Sequence, residues 1–169
     1  MASRRTPAIE WRPIVLRKKI SAGTIDYRRA VAQLANNPPS EINLGAGGVK
    51  AAVIALLECG VPAGDALVAI CGSRAPISLR LPIARIILQS EFAGSITEQQ
   101  MSAALRVAMF SPKNYDLIAA LLFSRESNLL AEFANILAAD NGSDCLLKSW
   151  KKTRLAQLAA LSADFFPVN

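Results

Sequence analysis

The chain has 169 residues, 52% of them apolar but only 6% aromatic, and a formal net charge of +6. That length suits one domain burying roughly 70% of its unfolded surface, and the absence of histidine excludes Ser-His-Asp and Cys-His catalysis and any histidine-bearing metal site. No uncharged apolar run nears the about 20 residues that span a bilayer, so a soluble helical domain with a core of Ala, Leu and Ile is expected.

The charge is unevenly placed. Residues 1–29 carry Arg4, Arg5, Arg12, Arg17, Lys18, Lys19, Arg28 and Arg29 against only Glu10 and Asp26, so this stretch holds the whole excess of +6. The eleven basic and eleven acidic side chains of the remainder cancel. Residues 1–23 combine this charge with Pro7, Pro13 and Gly23. Pro13 breaks any helix begun at Thr6-Pro7, so a basic mobile arm is expected, anchored by Ile14, Val15, Leu16 and Ile20.

Those eight basic side chains form a candidate phosphate-binding set, because clustered Arg and Lys release counterions from nucleic acid. Trp11 and Tyr27 lie among them and are placed in sequence to stack on bases. The same composition also suits an anionic membrane surface, an export or targeting segment, or a solubilising tail without a ligand.

Thr24 is a good N-cap for a helix carrying Tyr27, Ala30, Val31 and Leu34 at helical spacing. Pro38-Pro39 stops it, and residues 38–48 read as a Pro/Gly linker. Within that linker, Gly45-Ala46-Gly47-Gly48-Val49-Lys50 places glycines before a helix, where backbone N–H groups can cradle an anion. No strand precedes it and no Gly-Lys-Ser/Thr ending follows, so a flexible helix entrance is the simpler expectation.

Gly48 to Gly72 is almost wholly apolar, and its two runs both end in Cys-Gly, at Cys59-Gly60 and Cys71-Gly72. Glycine past an apolar run stops a helix by turning left-handed, and Val61 can fold back on Leu56. Two short helices in a tight hairpin are expected, with Cys59 and Cys71 at opposite ends and free. Cys145 makes the count odd, which points to a reducing compartment, the cytoplasm.

Ser73 to Pro82 alternates, with Ile77, Leu79 and Leu81 set between Ser78, Arg80 and Pro82. The expectation is an extended stretch, then a helix from Pro82 to about Glu91, ended by Gly94. Thr97 to Gln100 has capping-box form, with Met101, Ala104, Leu105 and Ala108 following on one face. Ser111-Pro112 opens a helix through Tyr115, Ile118, Leu121 and Leu122. Leu129, Leu130, Phe133, Ile136 and Leu137 make the cleanest stripe, which Asn141-Gly142 ends.

Ser143 then caps a final helix of about twenty residues. Leu147, Trp150, Leu158 and Leu161 share one face of it, and Lys148 and Lys152 lie opposite. Arg154 falls inside the apolar stripe. Leu147, Trp150 and Arg154 are therefore the candidate partner-binding residues, since aromatic and arginine side chains commonly dominate interfaces.

Together these elements predict an all-α protein of about eight helices, a compact bundle or a short stack of helical hairpins. The basic arm covers residues 1–23, and a single helical domain covers 24–169. Cys59, Cys71 and Cys145 match no zinc-ligand spacing, and the thirteen acids sit mainly at helix starts and on polar faces. No catalytic set, metal or cofactor is expected. The leading function is a non-enzymatic protein-interaction module, an adaptor, secretion-associated or effector-like factor that takes a protein partner. The alternative is a nucleic-acid-binding protein using the arm, and a histidine-free enzyme comes third. Low aromatic content argues mildly against a base-stacking surface.

Overall fold

Pro13 opens a helix rather than breaking one. In the computed structural model, which describes residues 9–45, 47–125 and 128–138, it stands at the start of α1 (Pro13–Ser21). A proline is harmless there because the first helical N–H groups have no partner to lose. The stretch expected as a mobile arm thus divides. Residues 1–8 lie outside the described residues, while Ile9, Trp11 and Leu16 are buried and α1 lies against α4 (Gly48–Glu58).

Gly60 stops its helix as the sequence implies, and Gly23, not singled out as a stop, ends α1 in the same way. Gly23 takes φ +73°, and the N–H groups of Gly23 and Thr24 return to the carbonyls of Ile20 and Lys19. Gly60 takes φ +99°, with its own N–H on Leu57 and that of Val61 on Leu56. Both are paired end-bonds of the Schellman type. Because Thr24 is engaged in ending α1, it does not cap the next helix. Asp26 does so instead, its Oδ1 accepting the Arg29 N–H at 2.7 Å at the start of α2 (Tyr27–Asn36). The Pro/Gly linker contains one further turn of helix, α3 (Glu41–Leu44).

The expected hairpin does not form. α4 and α5 (Ala63–Cys71) diverge after Pro62: α4 packs on α1 and α6, whereas α5 packs on α7, α2 and α6. Each is buried nearly all round, through Ala52, Val53, Leu56 and Leu57 on α4 and Ala66, Leu67 and Ile70 on α5. One neighbour covers only a stripe of a helix, so helices this apolar need several.

The second correction is α6 (Ile77–Gln89), which takes in the stretch read as extended from Ile77 onward and carries Pro82 inside it. Its buried face is Arg80, Ile83, Ala84 and Ile87, a helical spacing that the arginine hides from a hydropathy reading. Gly94 lies in a 3-10 turn, Ala93–Ser95, and α6 has already ended at Gln89.

The remaining elements follow the sequence. α7 (Glu98–Ala108) begins in a complete Thr97–Gln100 capping box and buries Met101, Ala104, Leu105 and Ala108. A 3-10 turn, Pro112–Asn114, leads into α8 (Tyr115–Leu122), and α9 (Leu129–Ala138) buries Phe133 and Leu137. The regular elements among the described residues are all helices, with no strand, and one core cluster runs from Ile9 to Leu137.

Candidate functional site

Two clefts flank α6. The first is a groove of about 360 Å³ between α3, the first turn of α4 and the middle of α6. Val49, Leu79, Pro82 and Ile86 line it with Ile42, and Ser40, Glu41 and Lys50 supply polar lining. Pro82 has no N–H for the Ser78 carbonyl four residues back, so the helical ladder is interrupted where both residues line the groove. Ile42 is 95% exposed, the most exposed large apolar side chain among the described residues. An isoleucine held outward on a one-turn helix gains nothing for the fold.

The second cleft, about 710 Å³, opens beside the carboxyl end of α5. At its edge lies a buried polar node. Arg80 Nε donates to the Ile70 carbonyl at 2.9 Å, Nη2 to the Cys71 carbonyl, and Nη1 to Asn114 Oδ1 at 2.9 Å. Asn114 Nδ2 donates in turn to the Ala108 carbonyl at 2.8 Å. The last carbonyls of a helix lack intrahelical partners and carry its negative dipole end, so a guanidinium there is favourable. Gly72, expected to end α5 by turning left-handed, has φ −91°; the arginine holds that end. Burial pushes the Cys71 thiol up to about 12, against the opposing pull of Arg80, and lowers the pKa of Arg80 itself. A thiol so protonated is no nucleophile.

The basic amino-terminal side chains among the described residues are spread over the segment before α1, α1 itself and α2. Arg12 pairs with Glu10, and Arg17 of α1 reaches Glu58 of α4 at 2.5 Å. Lys18 and Lys19 occupy the last turn of α1, where cations suit the dipole, and Arg28 is exposed on α2. The Arg29 backbone is held by Asp26, and Arg4 and Arg5 lie outside the described residues. Trp11 is 7% exposed, and its Nε1 donates to the Asn37 carbonyl at 2.7 Å. It belongs to the core and has no free face for a base, which corrects its expected stacking role. Tyr27 remains 45% exposed while its hydroxyl donates to the Cys59 carbonyl at 2.8 Å.

Leu147, Trp150, Arg154 and the final helix expected to carry them lie outside the described residues, as does Cys145. Cys59 and Cys71 are both free. Among the described residues no group of acids and cysteines is gathered to hold a metal, and no helix is long and apolar enough to cross a membrane. The sequence reading missed both clefts. Their signals were Arg80, which read as the polar half of an alternating stretch, and Pro82, which read as a helix start rather than a residue inside one. Comparison with protein-family models, with curated proteins and with solved structures finds no match.

Proposed function

We propose that the chain is a helical protein-interaction module whose docking face is the groove between α3, α4 and α6. The observation that supports it is Ile42, 95% exposed beside an apolar groove lined by Val49, Leu79, Pro82 and Ile86. A partner segment with apolar side chains at helical spacing would remove Ile42 from water and fill the groove, the common helix-in-groove mode. Full burial of one isoleucine contributes about 1.5–3 kcal/mol, enough for a single side chain to act as an anchor. This is adaptor-type work and requires no catalytic group.

Peptide display against the folded chain tests it. Enriched peptides should share an amphipathic apolar pattern and lose affinity about tenfold or more on Ile42→Asp, a loss of at least 1.4 kcal/mol. Phe123→Asp, an exposed apolar position on the other side of α6, should leave their affinity unchanged. Peptides indifferent to Ile42→Asp would overturn the groove. The competing nucleic-acid function would be shown by salt-sensitive binding of an oligonucleotide that disappears on Lys18→Gln and Lys19→Gln.

A further inference from the structure

The cleft at the carboxyl end of α5 carries more positive charge than the fold uses. Arg74, Arg80 and Lys113 all line it, and no Asp or Glu does. None of the three makes an ion pair among the described residues. Arg74 and Lys113 are exposed, so water serves them adequately. Arg80 is different. It is 5% exposed, and its charge meets only the carbonyls of Ile70 and Cys71 and the neutral amide of Asn114. Of the five N–H donors on a guanidinium, these bonds engage three. Two are left over on this cleft-lining residue, a cation whose partners bear no full negative charge.

Part of the lining is apolar. Val107 and Ile77 contribute to it, and Phe110 stands 71% exposed where α7 gives way to the 3-10 turn. Cations and an exposed aromatic ring in one cleft match a molecule with a charged head and an apolar body. An aromatic so exposed is unfavourable in isolation and becomes useful when a ligand covers it.

We infer that this cleft binds a small organic oxyanion, its carboxylate or phosphate group held by Arg74, Arg80 and Lys113 and its apolar body set against Phe110 and Val107. Arg80 plays both parts. Its Nε and Nη2 bonds end α5, and the N–H groups left over face the oxyanion, a planar donor set well matched to carboxylate and phosphate. The two arginines and the lysine also raise the local anion concentration, since a cleft lined by one sign of charge concentrates the opposite ion. The site is separate from the docking groove, lies at the other end of α5 from its Pro62 entrance, and stands or falls independently of it.

The test is a titration of the full chain, followed by amide NMR, with inorganic phosphate and separately with benzoate at constant ionic strength set by chloride. Saturable shifts are expected at the amides of Arg74, Ile77 and Lys113. Exchanging Arg74→Gln and Lys113→Gln together, both at exposed positions, should weaken binding about tenfold or more, as expected for lost charge-assisted hydrogen bonds. Phe110→Ala should weaken benzoate and leave phosphate unchanged. Saturation by phosphate alone would assign a phosphorylated ligand, and saturation by benzoate alone a carboxylate on an apolar body. Shifts that do not saturate with either probe, or an affinity unmoved by the double exchange, would overturn the site.

Discussion

Arg80 and Asn114 stand thirty-four residues apart in the chain, and Nη1 of the first lies 2.9 Å from Oδ1 of the second. They are the buried polar side chains among the described residues. Through them the end of α5, the first turns of α6, the end of α7 and the start of α8 share one set of hydrogen bonds.

Removing either partner should therefore cost more than an average core change. Arg80→Met strips bonds from the carbonyls of Ile70 and Cys71 and from Asn114, and should destabilise the protein by about 3–5 kcal/mol. Asn114→Ala should cost about 1–3 kcal/mol, because it leaves a buried guanidinium N–H and the Ala108 carbonyl short of a partner. Arg80→Lys should not restore stability, since a point ammonium cannot reach both sides of the fork. Urea unfolding of the single and double variants measures this, and the pair should show a coupling of about 0.5–3 kcal/mol. Additive losses would mean that the two residues act separately.

Gly64 on α5 lies directly against Gln100 of α7. A Cβ there would lie 2.1 Å from both Cδ and Oε1 of Gln100. That side chain is not free to swing aside, because its Oε1 accepts the Thr97 N–H at 2.9 Å in the capping box. Gly→Ala within a helix normally gains about 0.5–1 kcal/mol. Gly64→Ala should instead lose about 1–3 kcal/mol through overpacking, and much of that loss should vanish when Gln100→Ala removes the obstacle. A stabilised Gly64→Ala single variant, read from thermal unfolding, would show that the two helices separate without penalty.

The two described cysteines should differ sharply. Cys59 is half-buried and Cys71 fully buried, its thiol raised from 9.0 to about 12 by burial. Iodoacetamide at neutral pH, followed by peptide mapping, should label Cys59 and spare Cys71 until the chain unfolds. The pH dependence has a definite sign. In the unfolded chain the Cys71 thiol ionises near 9.0, and in the folded chain only near 12. Its contribution to stability is thus complete below pH 9 and declines as pH rises toward 12. Comparing the wild type with Cys71→Ala isolates that contribution from the titration of Tyr and Lys. The stability difference between them should shrink above pH 9, and a difference independent of pH would place Cys71 in contact with water.

Local chemistry by itself settled several of the helix ends. Gly60 with Val61, the Thr97–Gln100 box, Ser111-Pro112 and the stripe through Phe133 each act on neighbours within about five residues, so their neighbours in sequence suffice to read them. The positions of buried residues on α7, α8 and α9 were legible for the same reason. What sequence could not supply was the choice of partners. Hydrophobic burial is non-directional, and faces made of Ala, Leu, Ile and Val offer nothing to tell one neighbour from another. Hence α4 and α5, joined by a short turn, looked like a hairpin and instead diverge to pack on different helices. The amino-terminal segment shows the same limit from the other direction. Its charges suggested a mobile arm anchored only in part, through Ile14, Val15, Leu16 and Ile20, yet Ile9 and Trp11 join Leu16 in the core. Both clefts follow from this tertiary choice. Arg80 reads as a polar interruption until α5 and the turn before α8 surround it with acceptors, and Pro82 reads as a helix start until α3 and α4 make its flank one wall of a groove. A long-range acceptor satisfies a buried cation as well as a local one does, and only the folded chain determines which one is within reach.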